Sequence, residues 1–400
     1  MARKTLVYQM YPISWGSIRM MTAFLPRVAA LGCDYVWLSP IFESPWHNHG
    51  YDVADYYAVE PRLGTMEDFD EFVRSAHLMG LKVILDLPID STSVEHRWFL
   101  TEPHRYITQE ENNPSPVRQN VLGDSLAWQR SNNKFYLALN HPSQATLNWH
   151  SHGTLNRGLI ETFKRIMSFW IVSHNVDGFR LEFAQLLNET AEGDDTKLNR
   201  FLIGPRAVEV INELSNLYNQ KAPFLIMDCI DPNGKVCEFY SAETDVEFFT
   251  NRVIRSTSIC SKTKSLEGLK KKVANHTDNP KFMLNLESHD VPRYTSRSGL
   301  SPRTILKFMF SSDIQAVCLY QGQELGLKNP ESLSISEILS LDSRKELEHE
   351  RMKISNETLR RESCANARVP IPLDEYAAQE ADPDSVLRIA KALIEEWRHS

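Results

Sequence analysis

The sequence predicts an α/β protein: a (β/α)8 TIM barrel with a short subdomain inserted after the third strand. Three observations carry that prediction. Eight short segments are apolar on both faces and rich in β-branched and aromatic residues, the pattern of buried parallel strands. Amphipathic stretches of helical period lie between most of them. The alternation ends near residue 322 of a 400-residue chain, a length that suits one closed barrel carrying an insertion.

The segments are LVYQMY (6–11), YVWLSP (35–40), KVILDLP (82–88), GFRLEFA (178–184), PFLIMDC (223–229), DVEFFT (245–250), FMLNLES (282–288) and AVCLYQG (316–322). A helix follows the second of them: in MEDFDEFVRSAHLMG, Met66, Phe69, Phe72, Val73, Ala76 and Met79 share one face. Residues 89–150 hold Pro, Asn and Ser clusters, run too long for an ordinary βα connection, and read as a small subdomain over the barrel mouth. The barrel then comprises 1–88 and 151–400. Beyond residue 330 come two further helical patterns, ESLSISEILSLDSRKELEHERMK and DPDSVLRIAKALIEEWRHS. The second reads as the last barrel helix, with Leu393, Ile394 and Trp397 on its docking face.

A net charge of −8 with 24% charged residues leaves no basic footprint for nucleic acid or an anionic membrane surface, and small neutral substrates stay open. The first residues lack a signal h-region and no run of 18 apolar residues follows, so the chain reads as cytoplasmic. The six cysteines, Cys33, Cys229, Cys237, Cys260, Cys318 and Cys364, are scattered without CxxC or Cys/His ligand spacing and read as reduced, buried thiols. His47 and His49 flank Asn48 but lack a third ligand at suitable spacing. No metal or cofactor is expected, and nothing in the sequence supports an oligomer.

The stretch NVDGFRLEFAQ (175–185) sets the chemical question, because Arg180 and Glu182 fall on one face of a strand. Burying the pair is tolerable only if it is matched or serves chemistry. In a barrel, residues at the carboxyl ends of strands converge on one mouth. Asp86, Glu182, Asp228 and Asp290 all sit at such ends, with Arg180 and His289 beside them. For a single acid, an N-cap or a loop ion pair is the plainer reading. Four together suit glycosidic cleavage, in which one carboxylate stabilises or attacks an oxocarbenium-like carbon while another protonates the leaving oxygen.

Motifs along almost the whole chain resemble the α-amylase superfamily of glycoside hydrolases (glycoside hydrolase family 13), and within it the oligo-1,6-glucosidase and α-glucosidase branch. They are YQMYP (8–12), YVWLSPIFESP (35–45), GYDVADYYAVEPRLGTMEDFDEFV (50–73), KVILDLPIDSTSVEHRWF (82–99), LNW (147–149), DGFRLEFA (177–184), SHDVPRYTSRSG (288–299), LYQGQELGLKN (319–329), NARVP (366–370) and ADPDSVL (381–387).

The resemblance implies an α-glucoside or oligosaccharide as the partner. It implies that Asp52 grips the non-reducing glucose hydroxyls, Asp86 supports the site, Arg180 orients the nucleophile, and His289 with Asp290 binds and distorts the sugar. Tyr51, with Tyr11, Trp46 and Trp128, is a candidate for stacking on a sugar ring, although single aromatics pack at least as often.

Six departures matter. Asp90 and Ser91 stand where the family has Asn-His, and Ser91 thus replaces a histidine that touches the sugar. Glu182 stands where the nucleophile is Asp, and Asp228 where the acid/base is Glu. Phe183 follows the nucleophile position, where a small or β-branched residue helps discriminate linkages. SWGSIRMMTAFLPRV lacks the carboxylates of the calcium loop, and the chain stops where a C-terminal β-sandwich usually follows, so neither is expected.

One methylene shifts a carboxylate by about 1.5 Å, and misplacement by about 1 Å can cost on the order of 100-fold in rate. Lengthening one acid while shortening the other could nevertheless keep the separation of about 5–5.5 Å that retention needs. Two readings therefore stand. Glu182, Asp228 and Asp290 act as nucleophile, acid/base and stabiliser in a shifted retaining hydrolase or transglucosidase, or the barrel is an inactive pseudoenzyme serving as a sugar sensor or assembly subunit.

Overall fold

The computed structural model describes residues 4–110, 126–131, 134–190, 204–217, 222–231, 234–255, 266–311, 313–330 and 364–400. The predicted helix of 331–353 and Cys260 lie outside them.

All eight predicted segments form strands of one parallel sheet: β1 Thr5–Met10, β2 Tyr35–Leu38, β3 Lys82–Leu87, β4 Gly178–Leu181, β5 Phe224–Cys229, β6 Phe248–Asn251, β7 Met283–Asn285 and β8 Ala316–Tyr320. Register pairs include Val7 with Tyr35, Tyr35 with Lys82, Gly178 with Ile84 and with Phe224, and Thr5 with Ala316. A parallel bridge between Phe249 and Phe282 joins β6 to β7 and all but closes the ring. The longer helices between or after the strands include α1 Ile18–Ala30, α2 Met66–Leu78, α3 Arg157–Ser168, α4 Pro205–Ser215, α5 Lys235–Glu243, α6 Leu266–Thr277, α7 Pro302–Met309 and α8 Val386–His399.

The helices start where side chains satisfy otherwise unpaired N–H groups. Ser17 caps α1, Asn156 caps α3, Ser301 caps α7 and Ser385 caps α8, while Thr65 and Asp68 form a reciprocal capping box on α2. The last helix docks on its own barrel. Trp397 is 1% exposed, its indole N–H donates to the Ile314 carbonyl at 2.7 Å, and Ile394 is buried beside it.

The strand period of two explains how the barrel builds its mouth. Val7, Trp37, Ile84, Ile226, Met283, Ala316 and Cys318 pack together as an inner apolar plug. Two residues further along the strands come Gln9, Ser39, Asp86, Asp228 and Asn285, all buried and polar. The interior therefore changes from dry to charged within one side-chain layer, and Arg180 bridges the change with its guanidinium 5.4 Å from the Trp37 ring.

Between β3 and α3 the described chain is irregular with small antiparallel pairs. Ser91–Ser93 pairs with Gln144–Thr146, His150–Ser151 with Thr154–Leu155, and Lys134–Leu137 lies between Thr108–Gln109 and Trp128–Ser131. Trp128, Leu137 and Leu139 from this segment form one apolar cluster with Phe183 and Leu186 of the β4 exit. Among the described residues no helix is long and apolar enough to cross a membrane, and Cys33, Cys229, Cys237 and Cys318 are buried free thiols.

Gly178 begins β4 where a Cβ would run into the Phe224 backbone of β5. Gly178→Ala is expected to lower unfolding stability by about 3 kcal/mol or more, because a clash with backbone cannot be relieved by a rotamer change. A urea titration followed by circular dichroism checks it.

Candidate active site

Asp86, Arg180, Glu182, Asp228 and Asp290 converge at the carboxyl ends of β3, β4, β5 and β7. Arg180 lies opposite Asp86 in the strand register. Its Nη1 donates to Asp86 Oδ1 at 2.8 Å and its Nη2 to Asp228 Oδ2 at 2.5 Å. Tyr51 donates its hydroxyl to the other Asp86 oxygen at 2.7 Å. The His289 ring is stacked between Tyr11 and Tyr51, at 5.2 and 5.4 Å between centroids, and its Nε2 lies 3.1 Å from Asp290 Oδ1.

Two further arginines, which sequence reasoning missed, enter from the turn after β6. Arg255 donates to both Asp228 oxygens, at 3.1 and 2.9 Å, and Thr250 donates to Oδ1 at 2.7 Å. Arg252 stacks over the Phe183 ring at 4.3 Å and faces three acids: Asp290 at 3.3 Å, Asp228 at 3.8 Å and Glu182 at 3.9 Å. Their spacing of three residues directly after a strand end was the available signal, since a helical turn there aims both side chains at the mouth.

These contacts separate the acids electrostatically. Burial pushes Asp228 up, but Arg255, Arg180 and Arg252 outweigh it and bring the carboxyl down to about 2. Asp290 likewise resists its burial and is held well below the usual carboxylate range by His289 and Arg252. Glu182 goes the other way: burial raises it well above the usual range, because Arg180 stands 3.9 Å away and no hydrogen bond compensates. Its Oε2 is buried without a hydrogen-bond partner, and Nη1 of Arg252, although 3.8 Å from Asp228 and 3.9 Å from Glu182, makes no hydrogen bond. Such groups cost about 1–3 kcal/mol each when unpaired.

A group with a carboxyl near 2 is a fixed counter-ion at neutral pH and a poor proton donor. Both oxygens of Asp228, the expected general acid, accept hydrogen bonds from Arg180, Arg255 and Thr250. Asp52 lies in the loop that carries Tyr51. It is fully buried, with Oδ1 accepting from Ser44 Oγ and Asn48 N at 3.0 Å and Oδ2 from His47 N at 2.9 Å, so it organises its own loop.

Ser91 donates to Asp90 at 3.0 Å and accepts from Gln144 at 3.3 Å, a hydroxyl tied to the floor of the inserted segment. Burial raises Asp90 to about 6, and its charge adds to the pressure on Glu182. Phe183 adopts φ +40 and packs into the cluster with Trp128, which places both aromatics in packing roles. Trp46 is buried with Arg62 over its ring at 4.8 Å. His47 faces Glu95 at 3.4 Å while His49 contacts Arg368, so the two histidines point to different partners.

Asp228→Asn would leave Arg180 and Arg255 without their shared counter-charge. A loss of about 3–5 kcal/mol is expected at pH 7. The native carboxyl is lowered, so its contribution is full above the unfolded value near 3.8 and fades as pH falls through about 2. Urea midpoints of wild type and variant should therefore converge in strong acid and differ most near neutrality.

The Alpha amylase, catalytic domain family matches residues 11–382. Trehalose-6-phosphate hydrolase of Escherichia coli (strain K12) is 28% identical over 84% of this chain and 68% of its own length. Oligo-1,6-glucosidase of Parageobacillus thermoglucosidasius is 27% identical over 85% of this chain and 68% of its own. The crystal structure of Bacillus licheniformis trehalose-6-phosphate hydrolase superposes with a TM-score of 0.84 at 26% identity, covering 100% of this chain and 84% of that one. With a match over most of its length, strand ends that gather the acids, and relatives that are glycoside hydrolases, the chain belongs to the α-amylase catalytic-domain family of glycoside hydrolases.

Proposed function

We propose that this chain binds an α-glucoside at the carboxyl ends of the strands and that its altered acid pair no longer supports rapid cleavage with retention. The carrying observation is Asp228: wholly buried, bonded to Arg180, Arg255 and Thr250, and lowered to about 2, it has no proton to give a leaving group.

Binding is supported by Oε2 of Glu182 and Nη1 of Arg252, buried atoms that make no hydrogen bond. A sugar offers hydroxyls that donate to the first and accept from the second. The glucosidase names of the relatives support the substrate class. In this proposal Asp86, Arg180 and Tyr51 form the floor, Asp290 and His289 one wall, and residues 89–150 a subdomain over the barrel of 1–88 and 151–400. The free buried thiols support a cytoplasmic setting.

Arg252 favours a second reading. It is about a quarter exposed and held at 3.3–3.9 Å by three acids. A substrate that displaces it would let Glu182 ionise and attack as nucleophile with retention, with hydrolysis or glucosyl transfer as the outcome.

Incubation with p-nitrophenyl α-glucoside, maltose, isomaltose, trehalose and sucrose, with calorimetric binding and sugar release measured separately, decides between them. The expected result is saturable binding of at least one glucoside, weakened about tenfold or more by Glu182→Ala through its lost hydrogen bonds to sugar hydroxyls, without release above the protein-free rate. Release that Glu182→Gln abolishes would establish the second reading. Failure to bind any of the sugars would sink both.

A further inference from the structure

On the helix side of β5 and β6 lies a second group of chemistry-bearing side chains that the sugar site does not use. Asp228 points into the barrel, so the period of two turns Cys229 outward. Thr250 likewise points in and Asn251 out. Cys229, Asp231, Cys237, Asn251 and His276 are each at most 4% exposed. One donor atom from each of Asp231, Cys237 and His276 lies within 4.8 Å of the others. Cys229 neighbours Cys237 but its Sγ lies outside that three-residue group.

We propose that Cys229, Asp231, Cys237 and His276 form a structural site for one zinc-class divalent cation, which ties α5 and α6 to the end of β5. Two thiolates, an imidazole and a carboxylate make a donor set that suits tetrahedral zinc. Bonds of about 2.0–2.3 Å would draw the donor atoms of Asp231, Cys237 and His276 to about 3.5 Å apart, a contraction on the order of 1 Å, and Cys229 would move in further to complete the set. The surroundings already orient the ligands. The Cys237 N–H donates to Asp231 Oδ2 at 2.8 Å, which seats the start of α5 over the site. His276 stacks on Phe282 at 5.1 Å. Asn251 Nδ2 lies 3.1 Å from His276 Nε2 and donates to the Asp231 carbonyl at 2.7 Å. An amide that donates to Nε2 marks a lone pair on that nitrogen, and a cation there would take the place of the amide. On binding, the two thiols release their protons to solvent and the metal–sulfur bonds replace the S–H bonds.

The test uses the purified full chain stripped with chelator and titrated with cobalt(II), then with zinc as competitor. One equivalent should produce the thiolate-to-cobalt charge-transfer band and intense tetrahedral ligand-field bands, which zinc then removes. Cys237→Ser and His276→Gln, each checked for native circular dichroism, should weaken cobalt binding about 100-fold or more. Cys229→Ser should roughly halve the charge-transfer intensity, since one of two sulfurs is lost. A folded wild-type chain without the band overturns the proposal, and so does a band that survives both Cys237→Ser and His276→Gln. Unchanged intensity in Cys229→Ser removes the four-ligand set.

Discussion

The Arg180 guanidinium, held between Asp86 and Asp228, is the contact around which the mouth is organised. It exists because three adjacent parallel strands bring inward positions together: Arg180 is registered against Asp86 on one side, and Asp228 lies two residues beyond its partner Ile226 on the other. Replacing all three groups with apolar side chains could preserve or raise stability, as buried ion pairs often contribute little net. Breaking only one is a different matter, since the others would be stranded in a medium that cannot solvate them. The triad therefore constrains every neighbour: Tyr51 must donate to Asp86, Thr250 to Asp228, and the apolar plug below must end at Trp37.

The change of side-chain length at two positions gains meaning from that constraint. A carboxylate at 228 on a short stem stays close to the strand, where Arg180 and Arg255 both reach it. Glu182 on a longer stem reaches past Arg180 and finds it only at 3.9 Å. Arg180, Arg252 and Arg255 thus face Asp86, Asp228 and Asp290, and Glu182 is left to a raised proton affinity. Environments that push acids apart are how glycosidases divide acid from base. Here the shifts run opposite to the roles that the family resemblance implies, with position 182 raised and position 228 lowered.

The loops follow the same economy. Phe183 takes a left-handed backbone and turns the β4 exit toward the inserted segment, where it packs with Trp128. Asp52 spends its carboxylate on the N–H groups of His47 and Asn48, which holds the loop carrying Tyr51 against His289. Residues that a motif marks for ligand contact thus also brace the loops around the mouth.

Buried parallel strands are legible because both faces must be apolar, and for that reason all eight were readable from local composition. The acids at strand ends were readable for a related reason: a charge that interrupts an apolar run has few places to go other than the barrel mouth. Arg252 and Arg255 were not, since two arginines three residues apart ordinarily mark a solvated helical face. Nor were Asp231, Cys237 and His276, whose separation along the chain matches no ligand spacing and whose meeting depends on α5 and α6 packing on one strand end. Local hydrophobic pattern determined the barrel and the level of its charged layer. Which carboxylate is raised in proton affinity and which is lowered was decided only by the tertiary structure, because that depends on cations brought from distant parts of the chain to within a few ångströms of buried acids.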